Sequence, residues 1–220
     1  MRMSALLALL ALGGMGCLPS HAGRTLGKGA LQAEMGLGGP IFNNLGGPIP
    51  MPSLPLGARY GILDDLDISA HINALTLVVG GFLTADAQAT FRLVGDERRE
   101  GFHMASSTGL GLLTDFSQMV RVSPLFDLAM SYGFSKAAPF IGSELILDVW
   151  NGTVIWNPFI GVEVDVGRTT LSLAGVWFNA GFDTSSTPLE WVSPGDRGAL
   201  GVLLGLKIGL LSRQGKKASK

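Results

Sequence analysis

The stretch RGALGVLLGLKIGLL, Arg197 to Leu211, decides how this chain folds. Its even positions are Leu200, Val202, Leu204, Leu206, Ile208 and Leu210, and its odd positions are Ala199, Gly201, Leu203, Gly205, Lys207 and Gly209. A helix would mix the two sets on every face. A strand, whose side chains alternate, separates a large apolar face from a face of small residues and one lysine.

The same period of two recurs toward the N-terminus. In Thr153 to Val166 one parity holds Val154, Trp156, Pro158, Ile160, Val162, Val164 and Val166, and Asn157, Gly161, Glu163 and Asp165 share the other. In Gln118 to Tyr132, Val120, Val122, Phe126, Leu128 and Met130 oppose Arg121, Ser123 and Asp127. In Phe82 to Leu93, Leu83, Ala85, Ala87, Ala89, Phe91 and Leu93 oppose Thr84, Asp86, Gln88, Thr90 and Arg92. In Leu66 to Ala74, Ile68, Ala70 and Ile72 oppose Asp67, Ser69, His71 and Asn73. Weaker strands are expected at Ala30 to Leu37, Pro55 to Ile62, Phe102 to Leu113, Phe140 to Val149 and Thr169 to Phe182, for about ten in all within a range of roughly 8 to 12. An even number returns both ends of the chain to one side. Gly38 to Pro52 and Asp183 to Asp196 read as the long loops of one end. Leu63-Asp64-Asp65, Gly95 to Glu100, Ser135 to Ala137 and Gly167-Arg168 read as turns at the other. Asn151-Gly152 is a two-residue hairpin signal.

Composition narrows the setting. The 220 residues carry 32 glycines and 11 prolines, too many for long helices, yet only 15% are charged, and the mean hydropathy is +0.38. Such an apolar excess asks for a solvent other than water. A net charge of −1 gives no general attraction to nucleic acid. Arg2 followed by an apolar run from Met3 to about Leu12 reads as a signal peptide, because the run is about half of what a spanning helix needs. Two cuts are open. Ser20-His21-Ala22 suits a small-x-small site, leaving a leader of residues 1–22. Gly14-Met15-Gly16-Cys17 suits a lipobox, leaving a leader of residues 1–16 and an acylated Cys17. Cys17 is the single cysteine, so no intramolecular disulfide forms. Residues 23–212 form one domain on this reading, and residues 213–220 a basic tail.

The polar parity is dominated by Gly, Ser, Thr, Ala and Asn, with sparse charges of both signs at Arg59, Asp67, Asp86, Arg92, Arg121, Asp127, Glu144, Asp148, Glu163, Asp165 and Lys207. A water-facing sheet surface is richer in Lys, Glu and Arg. Small residues with balanced ions suit a crowded interior, which turns the apolar parity outward. With its dyad strands, glycine content and aromatic residues near strand ends (Trp150, Trp156, Trp177, Phe178, Phe182, Trp191), the chain resembles the bacterial outer-membrane β-barrel superfamily. It departs from that class by ending on Leu211-Ser212 and a basic tail instead of an aromatic residue. The resemblance implies an all-β, closed, antiparallel, up-and-down transmembrane barrel in the cell outer membrane, with outer-membrane lipids and the barrel assembly machinery as partners. A periplasmic lipoprotein, a soluble lipid-anchored ligand-binding barrel, is the alternative. An inner-membrane helix over Ile68 to Ala85, which lacks charge, is a third option.

About ten strands enclose a lumen only modestly wider than side chains can fill, so a wide pore is disfavoured. The charges have two readings, a narrow solute path or a network of paired ions that plugs the barrel. The row Asp67-x-Ser69-x-His71-x-Asn73 is the one catalytic candidate, since some outer-membrane hydrolases use Ser and His on barrel strands. The competing explanation is a structural polar row. His71 and His103 are too few for a metal site, the acidic run Leu63 to Asp67 reads as a tight turn, and no cofactor motif is present.

Overall fold

Residues 22–44, 47–95, 100–185, 187 and 189–211 are described by the computed structural model. The expected leader with Cys17 and the basic tail lie outside the described residues, apart from Ala22. The strands are β1 (Leu31–Asn44), β2 (Gly47–Pro50), β3 (Pro55–Gly61), β4 (Leu66–Asn73), β5 (Leu83–Val94), β6 (Gly101–Thr114), β7 (Val120–Gly133), β8 (Ala137–Asp148), β9 (Thr153–Val166), β10 (Thr169–Asp183) and β11 (Arg197–Leu211), with one short helix, α1 (Ala74–Gly80). From β3 to β11 every strand pairs antiparallel with the next, β1 pairs with β3, and β1 closes on β11 from Leu31↔Leu211 to Pro40↔Gly201. β2 pairs only with the far end of β1. The remaining ten strands therefore make a closed up-and-down barrel, as the sequence leads one to expect.

The two ends differ. At the terminal end, where β1 begins and β11 finishes, the connections are short. The loop end carries the β1–β2 hairpin, α1, the turns 115–119 and 149–152, and the long connection from β10 to β11. Asn151-Gly152 is the second half of a four-residue turn between the paired Asp148 and Thr153, not a two-residue loop. The Asp148 carboxylate shapes that turn by accepting the N–H groups of Trp150 at 3.1 Å and Asn151 at 3.3 Å.

Gly38 to Pro52, expected as a loop, is mostly strand. Gly38 and Gly39 have φ of 142° and 152°, and a Cβ on Gly38 would lie 2.0 Å from the Val202 carbonyl oxygen. Glycine here lets β1 stay paired with β11 while bending out of the wall into its hairpin. The hairpin then docks on the other long connection: Phe42 bridges Trp191, Asn43 N–H donates to the Glu190 carbonyl at 2.7 Å, and Val192 N–H donates to the Ile41 carbonyl at 3.0 Å.

The uncharged run Ile68 to Ala85 is not one long helix. It splits into β4, the seven-residue α1 and the start of β5, and no helix among the described residues is long and apolar enough to cross a membrane. Asn73 caps α1, its side-chain oxygen accepting from the N–H groups of Leu75 and Thr76. Gly81, in the left-handed region at φ 68°, ends it.

Alternation sorts the side chains as the two parities demand. In β7, Ser123, Leu125, Asp127, Ala129 and Ser131 are buried inside while Val120, Val122, Phe126, Leu128 and Tyr132 face out. Along the outward positions of the barrel strands, between their ends, none of the described residues is Asp, Glu, Lys or Arg. The interior is not only polar. Phe82, Leu113, Leu125, Ile146 and Ile155 form an apolar cluster toward the loop end, and Phe140, Phe159, Val176, Phe178 and Leu203 form a second along β8–β11. Phe178 and Trp191, grouped by sequence with the aromatics near strand ends, are buried, the Trp191 ring edge-on to Phe42 at 6.2 Å.

Candidate functional site: the charged lumen

The charged side chains meet inside the barrel on the β1–β5 side and across to β9 and β11. Register explains the first group. Glu34 on β1 is opposite Gly57 on β3, Gly57 is opposite His71 on β4, and His71 is opposite Asp86 on β5. A Cβ on Gly57 would lie 2.0 Å from His71 Cδ2. The missing side chain lets the imidazole lie across β3 and reach β1. His71 Nε2 is 2.8 Å from Glu34 Oε2, and Nδ1 is 3.0 Å from Asp86 Oδ1. Gln88 Nε2 donates to the same Asp86 oxygen at 3.1 Å.

A second group centres on Arg59 of β3, ion-paired to Asp67 at 2.7 Å with both side chains buried. A third centres on Glu163 of β9, which Lys207 of β11 meets at 2.7 Å and Arg24 at 2.8 Å. Between β9 and Lys207 lie Ser172 and Gly205, in register with Glu163, small enough for the lysine to lean across. Glu144 of β8 accepts from its cross-strand partner Asn157 at 2.8 Å, and Asn157 Oδ1 accepts the N–H of Asn179 at 2.7 Å. Thr90 and Ser107 share a 2.9 Å bond. Such pairing is what makes buried charge tolerable, since isolating either partner costs several kcal/mol.

Of the expected lumen residues, Arg59, Asp86, Asp127, Glu144, Glu163 and Lys207 are buried in the interior. Arg92, Arg121 and Asp165 are only half-buried and lie toward strand ends, with Asp165 accepting the Thr170 hydroxyl at 2.5 Å. The row Asp67, Ser69, His71 and Asn73 does share one buried face, but its members serve separate ends. Asp67 takes Arg59, His71 takes two carboxylates, and Asn73 caps α1 and donates to Ser53 at 2.8 Å. Both ring nitrogens of His71 are thus committed, and Ser69 Oγ has no hydrogen-bond partner. The Ser-His contact that hydrolysis needs is not formed. Asp64 of the acidic run accepts the N–H of Lys28 at 3.1 Å, and among the described residues no three His, Cys, Asp or Glu gather as a metal site.

Two members escape the sequence reading. Glu34 sits in a weak strand, though its parity with Gln32 and Gly36 against Ala33, Met35 and Leu37 carries the signal. Arg24 lies in no strand. The segment 22–30 precedes β1 and turns into the lumen, with Ala22 joining the cluster of Phe140, Phe159 and Leu203. No family model matches this chain, and no curated protein matches it.

Proposed function

We propose that this chain is an integral protein of a bacterial outer membrane, delivered by its N-terminal signal peptide, whose barrel spans the bilayer around a narrow lumen filled by side chains. The observation that carries this reading is the outward surface. Uncharged between strand ends, it exposes large apolar groups all around the ring, among them Ile160 at 64%, Leu110 at 56%, Ile141 at 53% and Leu204 at 52%. Water-soluble monomers rarely expose apolar patches beyond a few hundred Å². A closed barrel with no free sheet edge is also the one β architecture whose backbone is fully paired in hydrocarbon. Strands β5–β11 run 12 to 15 residues, beyond the roughly 9–11 that a tilted span requires.

Most exposed aromatics fall near the rims, with Tyr60, Phe102, Tyr132 and Phe134 toward the terminal end and Phe116, Trp150 and Trp156 toward the loop end, while Phe126 lies mid-wall. That is the placement of interfacial girdles. β3 and β4 are short, and beside them at the loop end α1 exposes Val78 at 81% and Val79 at 78%, which continues the apolar band where the wall is low. The ion-paired, partly apolar interior supports a structural or narrow-channel role over a wide diffusion pore.

Membrane fractionation tests the reading. The protein is expected in the carbonate-resistant outer-membrane fraction, with faster gel migration before boiling than after. A mature form that stays soluble without detergent would overturn it.

A further inference from the structure

The segment Gly23–Gly27 lies inside the barrel without pairing to it as a strand. Its hold on the wall is a short series of polar contacts. Arg24 is ion-paired to Glu163 at 2.8 Å. The Arg24 carbonyl accepts from Arg59 Nη2 at 2.6 Å, Leu26 N–H donates to Asp67 Oδ2 at 2.8 Å, and the Thr25 hydroxyl donates to the Asp64 carbonyl at 2.9 Å. The fit is close at both ends of the segment. A Cβ on Gly23 would lie 2.8 Å from the Ala129 carbonyl oxygen, and one on Gly61 of the wall would lie 1.9 Å from the Gly27 carbonyl oxygen.

The two wall carboxylates that grip the segment do not depend on it. Glu163 also holds Lys207 at 2.7 Å and Asp67 also holds Arg59 at 2.7 Å, partners that do not belong to the segment. The strand ladders are untouched as well, since they run through β1 and beyond. The segment is therefore placed like a bound peptide, an occupant whose departure leaves the barrel closed and its ion pairs made. What it vacates is the Glu163 carboxylate facing the lumen, in a geometry that takes a guanidinium group by a charge-assisted hydrogen bond.

We propose that Gly23–Gly27 is a displaceable internal plug, and that the Glu163 position beneath Arg24 is a binding site for solutes bearing a guanidinium or primary ammonium group. Arg24 acts as the built-in competitor. This rests on the membrane-spanning reading above, because a plug has a conduit to close only in a barrel that crosses a membrane.

The test is single-channel recording in planar bilayers of the full mature protein, with insertion checked by heat-modifiable migration of the same sample. The unmodified protein is expected to be mostly closed. Arg24→Ala, which removes one charge-assisted hydrogen bond, is expected to raise the open fraction about tenfold, whereas Arg24→Lys stays closed. Millimolar guanidinium chloride is expected to block the Arg24→Ala channel and urea, its neutral analogue, to leave it open. Adding Glu163→Gln to Arg24→Ala abolishes the guanidinium block. Inserted Arg24→Ala barrels with the conductance of the unmodified protein would overturn the plug, and block by urea as strong as by guanidinium would overturn the site. Failure of every variant to insert would instead refute the spanning reading, and the plug with it.

Discussion

Replacing His71 by alanine tests whether the lumen charges hold the barrel together. His71, Glu34 and Asp86 are 3%, 4% and 5% exposed, so whatever the imidazole leaves behind stays out of water. Glu34 loses the 2.8 Å bond to Oε2, and its other oxygen has no partner to compensate. Asp86 loses a 3.0 Å bond but keeps Gln88 at 3.1 Å. Removing one partner of a buried ion pair costs about 3–5 kcal/mol. The retained Gln88 contact places this case at about 3. Urea unfolding in lipid vesicles, followed by the fluorescence of the four tryptophans, reads the loss directly. A triple variant, Glu34→Gln, His71→Gln and Asp86→Asn, removes the charge while keeping hydrogen-bonding groups, and is expected within about 1 kcal/mol of the unmodified protein. A loss below about 1 kcal/mol for His71→Ala, or a triple variant as unstable as the single one, would refute the argument that burial of unpaired charge sets the cost.

Gly57→Ala sets a Cβ against His71 and is expected to cost about 1–3 kcal/mol; the loss should shrink in a His71→Ala background but not vanish, because the same Cβ also lies 2.5 Å from the Ala70 carbonyl oxygen, so fully additive losses in a double-mutant cycle would show that the two do not compete for space. Ser69→Ala removes a buried hydroxyl that has no partner and is expected to be neutral or stabilising by about 1–2 kcal/mol in the same urea assay, with lipid-ester hydrolysis at background in both proteins. Leu204→Arg on the outward face is expected to cost about 2–4 kcal/mol if Leu204 sits near the bilayer midplane, whereas a water-facing Leu204 would tolerate arginine with no loss. The exposed Asp115 carboxylate accepts the N–H groups of Met119, Ser117 and Gln118, which hold it below its ordinary 3.8, to about 2. The order that this gives the 115–119 turn is full above the ordinary value and is lost as pH falls through about 2, a sign that a titration of the Ser117–Met119 amide shifts would check.

The strands that the sequence resolves best are those where one face is uniformly large and apolar. β9 and β11 begin and end where the alternation does, because each residue there has only one side on which it can be satisfied. β1 is harder to read. Gly38, Gly39 and Pro40 carry the composition of a turn, yet they stay extended because β11 offers them a partner across the closing seam. Tertiary pairing overrides local preference. The lumen follows the same division. Parity alone points Asp86, Asp127, Glu144, Glu163 and Lys207 inward, but which charge meets which depends on register, and register is not written in any one strand. His71 reaches Glu34 by crossing Gly57, a contact between β1 and β4 that needs the alignment of three strands. Arg24 is invisible to periodicity because the segment that carries it is not a strand.

Register also explains why a barrel of this size keeps charge inside. Two apolar clusters already lie toward the loop end and along β8–β11, and more leucine on β3–β5 would extend them without the need to pair ions. A purely apolar interior, however, resembles the exterior. When both faces of a strand are apolar, a one-residue slip costs little, and pairing is weakly specified. Asp67, Ser69, His71 and Asn73 alternate with Ile68, Ala70 and Ile72, so a slip of β4 by one residue would carry an aspartate and a histidine onto the uncharged outer surface. On the proposed reading that surface meets hydrocarbon, where a charge costs several kcal/mol. The ion pairs of β1, β3, β4 and β5 thus contribute less by their own attraction than by the penalty they attach to every other alignment of those strands. The shortest strands of the wall, β3 and β4, have the fewest ladder bonds to fix their alignment, and they are the ones that carry Arg59, Asp67 and His71.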